Sequence, residues 1–95
     1  MIAAGLILAC SSDMTGNEEV AKAEAYFEEG RNNAAVIELK NALQKNGNNQ
    51  QARWLLGEYY FSEGAYANAE KELKVAHELG QPDSDVLPLL AQAHF

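Results

Sequence analysis

Laid against itself with a shift of 34, the chain repeats. Glu24, Tyr26, Phe27, Glu29, Gly30, Ala35, Glu38, Leu39, Lys40 and Ala42 return as Glu58, Tyr60, Phe61, Glu63, Gly64, Ala69, Glu72, Leu73, Lys74 and Ala76, ten identities in one ungapped window. A fixed period of roughly 20–50 residues marks a solenoid, in which a unit cannot bury its apolar face until the next one stacks on it. The units are built of helix formers: 16 Ala, 11 Leu and 11 Glu stand against only 4 Val, 3 Ile and 1 Thr, so a sheet would lack β-branched surface. Period and composition together predict an all-α chain. Helices are expected over about 17–29, 33–45, 51–63, 67–79 and from 84 onward, each near the ~12-residue mean. The runs Asn46-Gly47-Asn48-Asn49 and Gly80-Gln81-Pro82-Asp83 read as turns between units. Asp83 or Ser84 is the expected cap of the last helix, with Pro88 early enough within it to be tolerated.

The repeated positions have a physical sense. Ala23 and Gly57 are small, as are Ala35 and Ala69, because two helices of one unit must approach to about 8–10 Å. Gly30 and Gly64 stand where a helix must stop and reverse, a place that favours a residue tolerating positive φ. Tyr26, Tyr60, Leu39 and Leu73 then fill the space between helices. Leu56-Gly57 followed by Tyr60, Gly64, Ala69, Leu73 and Ala76, and the earlier copy Ala23, Tyr26, Gly30, Ala35, Leu39 and Ala42, resemble the tetratricopeptide repeat pattern. That resemblance implies antiparallel helix-turn-helix units stacked as a right-handed solenoid of about two and a half repeats. They would divide as residues 17–49, 50–83 and a lone first helix at 84–95, a cap or a truncation. In that family a tryptophan stands three residues before the Leu-Gly pair; here Arg53 holds the place and Trp54 is displaced by one residue, or about 100°.

No seat for catalysis is visible. The sequence has no phosphate-cradling Gly loop, no His-Glu-x-x-His and no cysteine pair, and nothing calls for a cofactor or a metal. His77 reads as a partly buried or surface side chain, and Glu28-Glu29 and Glu70-Lys71-Glu72 as solvated helix faces. Fourteen Asp and Glu against seven Lys and Arg leave a net charge of −7, which excludes a phosphate backbone as partner and charge-driven adhesion to an anionic membrane. The expected function is a binding surface. Stacked repeats expose their first helices on a concave side, where one face reads Val20, Glu24, Phe27, Glu28, then Trp54, Glu58, Phe61, Ser62, then Pro88, Gln92, Phe95. Val20, Glu24, Phe27, Trp54, Glu58, Phe61 and Gln92 are the candidate ligand-groove residues, with Trp54 equally readable as packing between repeats. Aromatic anchors beside carboxylates favour a protein or peptide partner with apolar and basic side chains. The Lys, Asn and Arg clamp by which some tetratricopeptide proteins grip acidic chaperone tails is not matched, since Val20, Glu24, Leu55, Asp85 and Leu89 occupy the corresponding places. The alternative is an assembly module that forms a homo-oligomer through the open face of its last helix.

The first sixteen residues are of another kind. Met1 to Ala9 is apolar or small, too short for a bilayer-spanning helix of about 20 residues but matching the apolar core of a secretory signal. Ile7-Leu8-Ala9-Cys10 resembles the lipobox of bacterial lipoproteins, which implies lipidation at Cys10 and a membrane contact made only through that anchor; the alternative is an apolar tail with an incidental cysteine. Ser11 after the cysteine resembles lipoproteins sent to the periplasmic side of the outer membrane, a soluble cytoplasmic protein being the alternative. Residues 1–16 are thus expected to be a truncated lipoprotein signal and polar linker. With the runs Ile37-Glu38-Leu39-Lys40-Asn41-Ala42-Leu43-Gln44 and Val86-Leu87-Pro88-Leu89-Leu90-Ala91, the chain resembles the start of the tetratricopeptide lipoproteins that accompany exosortase and PEP-CTERM sorting. That implies a periplasm-facing scaffold linked with exopolysaccharide export.

Overall fold

A computed structural model describes residues 14–93 of the 95-residue chain. The apolar stretch 1–9, Cys10, Ser11 and Phe95 lie outside the described residues. Five helices follow one another and no strand occurs among the described residues: α1 Asn17–Glu28, α2 Asn32–Lys45, α3 Gln50–Ser62, α4 Tyr66–Glu78 and α5 Asp83–Ala93. The four helices after α1 begin one residue earlier than the repeat pattern suggests, and the architecture is the expected all-α repeat of about two and a half units.

Three of the helices stop by one mechanism. At the ends of α1, α3 and α4 the Gly30, Gly64 and Gly80 amides donate to Phe27 O, Phe61 O and His77 O, while Arg31, Ala65 and Gln81 donate back to Tyr26 O, Tyr60 O and Ala76 O. This closure needs a left-handed residue, and Gly30 and Gly64 both have φ +78°. A Cβ at either position would meet nothing within 4 Å, so the requirement is purely conformational. The α2 end differs. Asn46 leaves the helix in extended backbone, and its Oδ1 accepts from Asn48 N at 3.0 Å. Asn49, buried at 6% exposure, then caps α3 by accepting from Ala52 N at 3.0 Å. Its Nδ2 donates to Thr15 O at 2.8 Å and Asn17 Oδ1 at 3.1 Å, fastening the start of α1 to the start of α3.

The core has two apolar clusters. Val20, Ala23, Ala35, Leu39, Ala42, Ala52 and Leu56 join α1, α2 and α3; Ala69, Leu73 and Val86 join α4 and α5, with Trp54, Tyr60, Phe61, Leu89 and Leu90 packed around them. Tyr60 touches both. Six alanines at 0% exposure mark the lines of closest helix contact. Gly57 is the tightest point, for a Cβ there would lie 2.6 Å from Leu73 Cδ2 across the α3–α4 contact. Arg53 takes the place the family gives to tryptophan and bonds the second helix of its own repeat, its Nη1 donating to Glu72 Oε1 at 2.8 Å and its Nε to Gly47 O at 3.0 Å. The equivalent position one repeat earlier, Glu19, pairs with Lys45 at 2.7 Å. Asp83 does not serve as a preceding cap: it is the first residue of α5, and its carboxylate meets the His77 ring instead.

Candidate functional site

The first helices α1, α3 and α5 present two stripes each, and the 34-residue shift shows what the stripes meet. Val20, Glu24 and Phe27 on α1 face Gln51, Leu55 and Tyr59 on α3: the Gln51 Nε2 donates to Glu24 Oε2 at 3.3 Å, and the Phe27 and Tyr59 rings lie 6.0 Å apart at 35°. Trp54, Glu58 and Phe61 are the same stripe one repeat on, facing α5. The candidate groove residues therefore divide. Val20 is not available to a ligand, being 6% exposed within the first cluster. Trp54 and Phe61, half-buried, pack on the Ala69, Leu73 and Val86 cluster, and Phe61 makes an edge contact with the Tyr66 ring. Trp54 thus packs between repeats, as Val20 does at the equivalent place. Gln92 is exposed on α5, apart from the others.

Phe27 and Glu58 are the two candidates the structure brings together. With Leu55, Tyr59 and Ser62 they line a cleft of about 450 Å³ between α1 and α3. The Ser62 Oγ donates to Tyr59 O at 2.7 Å, which fixes the hydroxyl at the rim with its lone pairs free to accept. Sheltering by its neighbours, and after it the negative Asp85, push the Glu58 carboxyl above its ordinary value of 4.5. The sequence pattern marks neither Leu55 nor Tyr59 as a liner, because both lie on the trailing stripe of α3, whereas Ser62 stands on the face it does mark. Tyr59 has Ala25 as its counterpart one repeat earlier, so the repeat gave no signal; the recurrence of Leu55 as Leu89 is the trace that could have marked the stripe.

Charge separates the first helices from the second helices. The first helices carry Glu18, Glu19, Glu24, Glu28, Glu58, Asp83 and Asp85 against Lys22 and Arg53, whereas in α2 and α4 four carboxylates face four lysines. The first helices are acidic and the second helices nearly neutral. No group of three or more His, Cys, Asp or Glu suited to a metal occurs among the described residues, and no described helix is long and apolar enough to cross a membrane.

Paired helices stacked at a fixed repeat define a helical-repeat protein. The tetratricopeptide repeat family model matches residues 16–93, and the chain belongs to that family. Repeats of this family generally mediate protein–protein interaction and are typically non-catalytic. No curated protein and no solved structure matches the chain.

Proposed function

We propose that the protein is a non-enzymatic interaction scaffold that takes a partner peptide with apolar and basic side chains across its first helices. The observation that carries this reading is the cleft of Phe27, Leu55, Glu58, Tyr59 and Ser62, an apolar floor with a carboxylate on its rim, set among the acidic first helices. Apolar burial supplies most of the affinity in such a site, and charge the selectivity and on-rate. Labelled peptides alternating Leu or Phe with Lys or Arg are expected to bind, and a matched Asp/Glu panel not to. Phe27→Ala and Leu55→Ser should weaken binding with the helical circular dichroism retained. Equal binding of both panels, or indifference to both substitutions, removes the reading.

The lipobox-like Ile7-Leu8-Ala9-Cys10 supports placing the scaffold on the periplasmic side of the outer membrane through a lipid on Cys10. The resemblance to PEP-CTERM-associated lipoproteins supports a role in protein sorting and exopolysaccharide export. Palmitate labelling in a Gram-negative host that is lost in Cys10→Ser, with the protein leaving the outer-membrane fraction, checks the anchor; label retained in Cys10→Ser refutes it. A second reading has its own observation. Leu87, at the position where Glu19 and Arg53 pair with the second helix of their own repeats, is 50% exposed on α5. Self-association through that face should appear as a rising mass in sedimentation over a concentration series and vanish in Leu87→Glu.

A further inference from the structure

We propose that the cleft between α1 and α3 is a pocket for a single arginine side chain of the partner, its stem on Leu55 and the Phe27 and Tyr59 rings and its guanidinium between the Glu58 carboxylate and the Ser62 hydroxyl. This rests on the peptide-binding reading and deepens it.

The shape and the chemistry each narrow the occupant. Rings 6.0 Å apart and inclined at 35° form a wedge, which suits a flat group or a methylene chain better than a branched aliphatic side chain. Apart from the Tyr59 phenol, the polar groups of the lining are Glu58 and Ser62, one helical turn apart on α3. Ser62 already spends its proton on Tyr59 O, so both rim groups are acceptors and the occupant must be a donor. A wholly apolar guest would shelter a carboxylate without pairing it, a costly arrangement. None of the seven Lys and Arg residues of this chain lines the cleft, so no internal cation fills the role.

Arginine fits better than lysine. A planar fork of N–H donors reaches two acceptors at once and stacks on an aromatic face, whereas an ammonium is compact and strongly hydrated. Asp85, close enough to raise the Glu58 carboxyl, adds negative charge from α5. The pocket also occurs once among the described residues. Shifted by 34, Phe27, Leu55, Glu58 and Tyr59 become Phe61, Leu89, Gln92 and Ala93, which lack both the carboxylate and the second ring. The partner is therefore read by one cationic anchor at one register, not by a ladder of charges.

A display library of random peptides selected on the full 95-residue chain tests this. Peptides whose binding is lost in Phe27→Ala should share one Arg beside an aliphatic residue. Replacing that Arg by citrulline, which keeps shape and removes charge, should weaken binding about tenfold or more on the wild-type chain but less than about twofold on Glu58→Gln, an exposed position whose change leaves the fold intact. Lys in its place should fall between. If peptides need Phe27 yet carry no Arg, or tolerate citrulline equally on both chains, the arginine pocket is overturned while the groove stands. If nothing bound depends on Phe27, Leu55 or Tyr59, groove and pocket fall together.

Discussion

Single residues separate two uses of glycine that look alike in the sequence. Gly57 is small because Leu73, fully buried, leaves no room, while Gly64 is chosen for its φ of +78° with open space around it. Gly57→Ala should destabilise by about 1–3 kcal/mol through overpacking, partly offset by the better helix propensity of Ala. Gly64→Ala should lose about 1–2 kcal/mol from the left-handed backbone alone; equilibrium denaturation reads both, and a neutral Gly57→Ala would contradict the tight contact. Glu58 gives a pH-dependent prediction. Its carboxyl titrates above the ordinary range, first from sheltering and then from Asp85, so folding favours the protonated form, and stability is lost as pH rises through the raised value. Glu58→Gln should therefore melt higher than wild type at about pH 7.5, with the gain disappearing by about pH 4. The repeat pattern made the glycines legible, since they recur or stand at a turn. Asn49 was read only as a turn residue, because its triple role depends on Thr15, Asn17 and Ala52 converging on one side chain.

At the level of helices, periodic apolar positions and punctuating glycines sufficed to place all five elements to within a residue. Partners across helices were less visible. Arg53 looked like a departure from the family pattern, yet it bridges α3 to Glu72 on α4, with side-chain exposures of 21% and 10%. A sheltered pair of this kind is strongly missed when one half is removed and weakly missed when both are replaced by apolar groups. Glu72→Ala should destabilise by about 2–4 kcal/mol, whereas Arg53→Met with Glu72→Leu should stay within about 1 kcal/mol of wild type. Urea unfolding of the four members of that cycle checks it; additive losses would show that the pair is not coupled. The α1 counterpart, Glu19, carries the opposite charge to Arg53 and finds its partner at Lys45, seven residues beyond Glu38, the equivalent of Glu72; a search for identities cannot detect this, although both pairs tie a first helix to the second helix of the same repeat.

Among the described residues the first and last helices differ in their outer faces. The outer face of α1 shows Ala21, Lys22 and Ala25 where α3 packs Leu55, Leu56 and Tyr59 against the preceding repeat, so it offers no comparable stacking surface. At the other end α5 is held by Val86, Leu89 and Leu90 on one side while Leu87 stays exposed on another. Units that touch only their neighbours lose order from the weakest end. Val86→Ala should therefore speed amide exchange throughout α5 while leaving α1 and α2 protected; uniform acceleration along the chain would mean that the repeats unfold as one block. The sequence by itself determined the helices, their pairing and the acidic balance, because a 34-residue recurrence and a shortage of β-branched residues are local or one-dimensional properties. Which stripe of a first helix is covered and which stays open was decided only by the tertiary structure. Neighbouring first helices bury Val20 and shelter Trp54, and bring Phe27 against Leu55 and Tyr59 from the next repeat. A cleft formed between two units belongs to their stacking, and no single helix encodes it.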